Sequence, residues 1–168
     1  MPSPYGSTGS LDTTLKLLVT SRDQTAAFYD APPQQLDRSY SPLPGKWTMR
    51  QLLIHIADSE AVSLERLCRV IAEDAPLLVG FNENHWAQRL AYAQRSLTIA
   101  RQLFLASRDT IIELARLTPP ARRQTVGFHT ERGTVTFLEQ LDTIAGHTQH
   151  HLTQLRAIAG DRAWVKPT

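Results

Sequence analysis

Three of the chain's six histidines lie within five consecutive positions near its C-terminal end, as His147, His150 and His151. His147 and His151 are four residues apart, so on an α-helix their imidazoles lie one turn apart on the same face. Two imidazoles in this arrangement can bind one divalent metal ion and leave its other coordination positions to a second element or to water. The first chemistry that the sequence indicates is therefore metal binding.

The histidine pair belongs to the apolar stripe of a predicted helix. The members of this stripe follow one another at spacings of three or four: Ile144, His147, His151, Leu155 and Ile158. His147 and His151 are therefore expected to face the interior of the fold or its edge, whereas His150 is rotated by about 100° and is expected to point away. A single inward histidine is ordinarily a neutral, hydrogen-bonded core residue. Two stacked imidazoles need partners for more nitrogens in an apolar surrounding, and a metal ion supplies one partner for each ring.

His55 is the natural third ligand. It lies in the second turn of a predicted helix that Thr48 and Gln51 begin as a capping box, between Leu52 and Ile56 on the core side. Metal sites in helical bundles are built from side chains on facing helices. Three imidazoles leave an open coordination position, which is typical of a catalytic metal site and not of a closed structural one.

Three carboxylates near these histidines are candidates for the hydrogen bond that a ligating imidazole gives to a second residue: Asp58, Glu60 and Asp142. The alternative for each is an exposed acidic side chain on a helix. His85 and His129 fall in predicted loops, where a solvated surface position is the expectation.

The composition is that of one water-soluble domain. The 168 residues carry 18 basic and 16 acidic side chains, a formal charge of +2, and the basic residues form no tract that would favour nucleic acid as a partner. No apolar run is long enough to span a membrane. The single cysteine, Cys68, excludes an internal disulfide and falls in an apolar helical run, where a buried position is expected.

Residues 1–10 are rich in Ser, Gly and Pro and have neither the basic nor the apolar segment of a signal peptide. We expect them to form a flexible N-terminal tail, and we expect the protein to be cytoplasmic.

Four amphipathic helical runs are expected to position the histidines. Their approximate ranges are 11–29, 49–73, 97–117 and 137–159. Thr136 and Glu139 form a capping box for the last run, and Gly160 is expected to end it. A short helix around Trp86, capped by Asn82 or Asn84, and a loop or weak hairpin over residues 124–133 complete the pattern. The pattern predicts an all-α four-helix bundle, with residues 11–165 as a single domain.

Two motifs far apart in the chain carry a resemblance to a known family: Trp47-Thr48-x-x-Gln51-Leu52-Leu53-x-His55-Ile56-x-Asp58-x-Glu60 and His147-x-x-His150-His151-Leu152-x-Gln154-Leu155. In this order and separation they resemble the DinB-like (damage-inducible) family of small bacterial four-helix-bundle proteins. The likeness covers about residues 11–160.

The resemblance implies a divalent metal ion held by three histidines that match His55, His147 and His151. Nickel or zinc is the expected metal, with iron and manganese as further candidates. Some members of the family are S-transferases and isomerases that use a low-molecular-weight thiol such as bacillithiol or mycothiol, whose pKa the metal lowers so that a thiolate meets an electrophile. Other members are described as metal-dependent hydrolases. Homodimers are common in the family.

Three functions remain open at this point. The leading hypothesis is a metal-dependent S-transferase whose partners are a small-molecule thiol and an electrophilic substrate. The second is a metal-dependent hydrolase that uses metal-activated water and needs a general base, for which the sequence places no acidic residue clearly. The third is a non-catalytic metal-binding or stress-response bundle protein.

Overall fold

The computed structural model describes residues 3–41 and 45–160. Its helices are α1 (Leu11–Phe28), α2 (Pro33–Leu36), α3 (Met49–Ala72), α4 (Glu83–Arg89), α5 (Leu97–Leu117) and α6 (Phe137–Ala159), and its strands are β1 (Leu77–Leu78), β2 (Val126–His129) and β3 (Gly133–Thr136). Residues 1–2 of the predicted tail and 161–165 of the predicted domain lie outside the described residues.

The four long helices α1, α3, α5 and α6 form a bundle. Helix α3 packs against α5 and α6, and α1 packs against the same two helices from the opposite side. The prediction of an all-α four-helix bundle is confirmed. No helix in the described part of the chain has the length and apolar character needed to cross a membrane.

Both predicted capping boxes are present and fix where α3 and α6 begin. The Thr48 hydroxyl accepts a hydrogen bond from the Gln51 backbone N–H at 3.3 Å, and the Gln51 side chain accepts one from the Thr48 N–H at 2.9 Å. Thr136 and Glu139 form the same pair of bonds at the start of α6. Gly160 follows α6 with a φ of 96°, the left-handed conformation that favours glycine at a helix end.

A small three-stranded sheet covers one end of the bundle. Strands β2 and β3 form an antiparallel hairpin, one of the two alternatives expected for this region, and β1 pairs in parallel with β2 through Leu77 and Phe128. No strand pattern indicates β1 in the sequence, because two residues are too few to show a periodicity. The sheet brings the segment after α3 beside the hairpin.

A buried polar layer crosses the middle of the bundle, with one member from each long helix: Ser21, Glu60, Arg108 and Thr148. Arg108 lies at its centre and donates to the Ser21 hydroxyl at 2.9 Å and to the Thr148 hydroxyl at 2.7 Å. It also forms a two-pronged ion pair with Glu60. The layer therefore joins all four helices through one guanidinium group.

The polar layer separates the apolar core into two clusters. One cluster includes Leu53 of α3, Phe104 of α5 and Leu155 of α6, around the end of the bundle where the histidines lie. The other includes Leu67 of α3, Ile111 of α5 and Leu141 of α6, beneath the sheet.

Cys68 is exposed, so the expectation that it is buried in the core is wrong. It follows the buried residues Arg66 and Leu67 on α3 and lies on the solvent side of the helix. The apolar residues around Cys68 do not all lie on one face of α3. Cys68 lies on the exposed face, between the buried residues Leu67 and Val70 in the sequence.

Candidate metal centre

Three imidazoles converge between α3 and α6. The Nε2 atom of His147 lies 3.0 Å from Nε2 of His55 and 3.1 Å from Nε2 of His151. The potential ligand atoms of all three histidines lie within 4.8 Å of one another. The structure thus brings together the three histidines selected from the sequence, while their role as metal ligands stays a prediction.

The positions of these rings follow from the two capped helices. His147 and His151 occupy successive turns of α6, and His55 projects from the second turn of α3, which packs against α6. The indole of Trp47, just before the start of α3, packs on the His55 ring with 4.7 Å between ring centres. The Thr48 cap therefore fixes both the start of α3 and the aromatic side chain that covers His55.

Burial favours the neutral form of each imidazole. It lowers the pKa of His55 and of His147 well below the ordinary value, and the neighbouring imidazoles lower both further. Burial likewise lowers the pKa of His151 to about 4. At neutral pH all three rings are uncharged, which is the state in which an imidazole nitrogen can bind a metal ion.

The tautomer of His151 is set by Gln154 and His150. The Gln154 side-chain oxygen lies 2.7 Å from Nδ1 of His151, and its amide nitrogen lies 3.3 Å from Nε2 of His150. Since an amide oxygen can only accept, Nδ1 of His151 donates the proton and Nε2 keeps its lone pair. That lone pair is directed to the point where the three Nε2 atoms meet, as a metal ligand requires.

The spacing of the nitrogens fits a divalent transition metal. At a metal–nitrogen distance of about 2.0–2.1 Å and a tetrahedral angle, two imidazole nitrogens lie about 3.3 Å apart. The two Nε2 separations of 3.0 and 3.1 Å are close to this value. A cation between the rings would accept a lone pair from all three Nε2 atoms at once, whereas a hydrogen bond between two of these nitrogens requires one of them to carry a proton.

Glu83, at the start of α4, is the acidic residue beside this site. Its Oε2 lies 3.7 Å from Nε2 of His55, and 58% of its side chain is exposed. Burial of the remainder raises the pKa of its carboxyl. The structure therefore supplies a candidate proton acceptor that the sequence alone did not indicate.

The three carboxylates expected to hydrogen-bond a histidine ligand have other partners. Asp58 pairs with Arg95 at 2.5 Å, and Glu60 belongs to the polar layer. Asp142 accepts hydrogen bonds from the N-terminal segment. The prediction that Asp58, Glu60 or Asp142 accepts a hydrogen bond from a histidine ligand is therefore wrong. The alternative, an exposed acidic side chain, is also wrong because all three residues are buried. Gln154 accepts the hydrogen bond from His151 that a carboxylate was expected to accept.

Residues 3–10, expected to form a flexible tail, run along α1 and α6. Asp142 accepts hydrogen bonds from the Ser7 hydroxyl at 2.9 Å and from the Thr8 hydroxyl at 2.8 Å. Tyr5 lies with its ring centre 6.0 Å from the rings of both His147 and His150. The structure gives this segment defined contacts beside the metal centre, and its flexibility in solution stays a prediction.

Two cavities reach the histidine cluster from different sides. The first, of about 350 Å³, we call the Lys46 cavity, and its lining includes Lys46, Trp47, His150, His151 and Gln154. The second, of about 210 Å³, we call the Arg66 cavity, and its lining includes Tyr5, His55, Arg66, His129, Arg132 and His147. Glu83 lines both cavities.

The predicted exposure is correct for one of the remaining three histidines and wrong or incomplete for the other two. His85 is exposed, as predicted, although it lies on α4 and not in a loop. His129 is buried in β2 and lines the Arg66 cavity, so its predicted surface position is wrong. His150 does not simply point away, because Gln154 ties it to His151 and it lines the Lys46 cavity. His129 was expected at the surface because a strand of only four residues gives little signal in the sequence. The direction of His150 was not predicted because it depends on a side-chain contact with Gln154.

Comparison with known proteins agrees with this fold. A protein of Oceanobacillus iheyensis named "Putative metal-dependent hydrolase" is 29% identical over 131 residues, which cover 78% of this chain and 74% of that protein. The structure of YfiT from Bacillus subtilis, a four-helix bundle of unusual topology, matches with a TM-score of 0.82 at 20% identity, over 98% of this chain and 94% of YfiT.

The structure of the mycothiol-dependent maleylpyruvate isomerase matches with a TM-score of 0.68 at 17% identity, over 87% of this chain and 60% of that one. Both structural likenesses concern the fold. The sequence profile of the DinB superfamily matches residues 17–155, which include all three converging histidines and both motifs that carried the resemblance. The chain belongs to the DinB superfamily.

Proposed function

We propose that this protein is a metal-dependent enzyme whose divalent cation is held by His55, His147 and His151. The observation that carries the proposal is the convergence of three neutral Nε2 atoms at the ends of two cavities. A cation bound there would lower the pKa of a thiol or a water molecule at its open coordination position. Nickel or zinc suits a site built from three imidazoles.

The leading reaction is the transfer of a low-molecular-weight thiol to an electrophile. A transferase must hold two substrates at once, and the histidine cluster has a cavity on each of two sides. Lys46 and Gln154 give the first cavity a polar lining that suits a hydrophilic thiol. Glu83 lines both cavities and can accept the thiol proton. The fold likeness to a mycothiol-dependent isomerase supports the use of a low-molecular-weight thiol.

Hydrolysis is the second candidate, and Glu83 is the observation that favours it. A carboxylate 3.7 Å from His55 Nε2, with a pKa raised by burial, is suited to take a proton from an attacking water molecule. The names of the curated relatives support this reaction. The two candidates share the metal site and differ in the nucleophile.

Elemental analysis tests the shared premise. We expect about one equivalent of nickel or zinc per chain in the purified protein, and its loss in the His147→Ala, His151→Ala variant. His85→Ala is the matched control, because His85 is exposed and lies away from the cluster. Absence of metal from the wild type, with no uptake on reconstitution, would overturn the proposal.

Turnover assays separate the reactions. Thiol-dependent consumption of a generic electrophile, with bacillithiol and mycothiol as alternative thiols, would support the transferase. Ester or amide hydrolysis without thiol, abolished in Glu83→Gln, would support the hydrolase. Metal retention with neither activity would leave the non-catalytic binding protein. The expected homodimer is tested on the same samples by light scattering after size exclusion.

A further inference from the structure

Among the residues that the structure describes, two arginines are buried, and only Arg108 forms an ion pair. The Arg108 side chain is 0% exposed and its guanidinium binds Glu60, Ser21 and Thr148. Arg66 on α3 is only 8% exposed, yet its guanidinium donates to the Val79 carbonyl and lies 5.9 Å from the Phe81 ring centre. Its Nε has no hydrogen-bond partner among the described residues.

An unpaired buried cation is unfavourable, and the surroundings of Arg66 do not relieve it. Burial lowers the pKa of Arg66, and the nearby positive charge of Arg132 lowers it further. Glu65 and Glu131 act in the opposite direction and offset this only in part. Arg132 is itself partly buried, and burial lowers its pKa as well. An anion placed beside Arg66 would compensate the charge of this guanidinium, and Arg132 would add a second positive charge to the same cavity.

The cavity lined by these two arginines also reaches His55 and His147 of the histidine cluster. His55, Ser59, Ser63 and Arg66 line it along one face of α3, at spacings of four, four and three residues. At about 1.5 Å of rise per residue, the backbone positions of His55 and Arg66 are roughly 16 Å apart. The cavity therefore runs from the metal centre at one end to the arginines at the other.

The opposite wall carries the other charged groups that face the cavity. Arg132 lies in the turn of the β2–β3 hairpin and donates to the Thr143 hydroxyl at 2.8 Å. His129 is buried, and its Nδ1 accepts a hydrogen bond from the Glu131 backbone N–H at 3.2 Å. The Glu131 carboxylate lies at the exposed rim, against Gly80. Glu83 and Tyr5 stand closer to the histidines.

We propose that the Arg66 cavity binds the anionic end of the substrate, a carboxylate or phosphate group held between Arg66 and Arg132, while the reacting end lies at the three histidines. A guanidinium presents two parallel N–H donors to the two oxygens of such a group, which suits it to this task better than an ammonium. The volume of about 210 Å³ is smaller than that of pockets for drug-sized ligands, which limits the ligand to a small molecule. The assignment of the reacting end rests on the proposed function, whereas anion binding at the arginines does not.

Isothermal titration with succinate and with inorganic phosphate tests the anion site in the purified protein after incubation with nickel or zinc. The two probes distinguish a carboxylate from a phosphate site. The variants are Arg66→Met, Arg66→Lys and Arg132→Gln, with Arg69→Gln as the matched control. Arg69 lies on the same helix one turn away, is exposed, and pairs with Glu65 and Glu73.

We expect saturable binding of at least one probe by the wild type and Arg69→Gln, weakened about tenfold or more in Arg66→Met and in Arg132→Gln. Arg66→Lys keeps the positive charge but lacks the planar pair of N–H donors, so its anion affinity should lie between those of the wild type and Arg66→Met. Binding that is equal in wild type and Arg66→Met would place the anion on the metal or elsewhere and overturn the proposal, as would no saturable binding of either probe. The melting temperature of each variant separates lost binding from lost folding.

Metal content measured on the same samples keeps this test apart from that of the proposed function. Arg66 and Arg132 do not belong to the histidine cluster, so their variants should retain wild-type metal content. If the wild-type protein binds metal but neither anion, the proposed anion site is overturned and the metal site is not. Anion binding without metal overturns the metal site alone.

Discussion

The guanidinium of Arg108 donates two hydrogen bonds to the carboxylate of Glu60, with Nε–Oε1 and Nη2–Oε2 distances of 2.5 and 2.9 Å. The two side chains are 0% and 2% exposed. Arg108 also donates to the Leu18 carbonyl at 3.0 Å, and Thr148, another of its partners, directly follows His147 on α6. The ion pair therefore fixes the relative positions of the helices that carry the histidines.

Replacement of Arg108 by Met should destabilise the protein strongly. Removing one partner of a buried ion pair leaves the other charge without compensation and costs about 3–5 kcal/mol. For a chain of this size the melting temperature should fall by about 6–20 °C. Urea unfolding followed by circular dichroism measures the loss. The double variant Glu60→Leu, Arg108→Met, which removes both charges, should recover most of it, and a loss below about 1 kcal/mol in the single variant would contradict the prediction.

Replacement of Gln154 by Leu should weaken metal binding while all three histidines remain. The variant loses the oxygen that accepts from Nδ1 of His151 and so loses control of the tautomer. Removing such a supporting contact typically costs about 10- to 100-fold in metal affinity. Competition with a chromophoric chelator measures the dissociation constant. Gln149→Leu, on the same helix but without a contact to the cluster, is the control, and equal affinities in the two variants would refute the role of Gln154.

Removal of the metal should lower the stability of the folded protein. A ligand that binds only the folded state at one hundred times its dissociation constant stabilises it by about 2.7 kcal/mol, which is roughly 5–11 °C in melting temperature here. Differential scanning calorimetry before and after chelation, and after return of nickel or zinc, measures the change. The His147→Ala, His151→Ala variant should not respond to added metal, and an equal response there would locate the bound metal elsewhere.

Replacement of Gly146 by Ala should release the N-terminal segment. A Cβ at this position would lie 2.2 Å from the Cβ of Tyr5, far closer than two carbon atoms can approach. The helix itself should tolerate alanine, which is favoured over glycine by about 1 kcal/mol within a helix. Hydrogen exchange should therefore accelerate at the Thr8 amide, which donates to Asp142 at 3.3 Å, and not in α6.

Gln149→Ala provides the control for this experiment, since it changes a side chain one turn further along α6 and adds no Cβ against Tyr5. Unchanged exchange at Thr8 in Gly146→Ala would show that Tyr5 does not pack on α6 in solution. The same measurement on the wild type tests the predicted flexibility of residues 1–10.

The local signals in the sequence were sufficient for the bundle and for the histidine trio. Thr48 with Gln51 and Thr136 with Glu139 mark helix starts through bonds to residues three positions away, which a sequence displays directly. The spacing of His147 and His151 placed two rings on one face, and the position of His55 beside a capped start placed the third. Each of these inferences depends on one helix alone.

What could not be predicted depends on contacts between distant segments. Glu83 reaches His55 only because α4 packs against α3. His129 is buried because β2 pairs with β1, about fifty residues earlier in the chain. Asp142 accepts from residues more than 130 positions away. Gln154 is different, because its position three residues after His151 on a helix could have indicated the contact.

The division of the core by the polar layer has a consequence for engineering this protein. Residues in the cluster under the sheet, such as Leu78 and Val135, belong to a different packing unit from Leu52 and Leu152 beside the histidines. Free-energy changes of substitutions that share no contacts are additive, whereas those of neighbours are coupled. Positions at the sheet end that do not line the Arg66 cavity, such as Leu78 and Val135, can therefore be repacked for thermostability with free-energy changes that add to those of substitutions at Leu52 and Leu152.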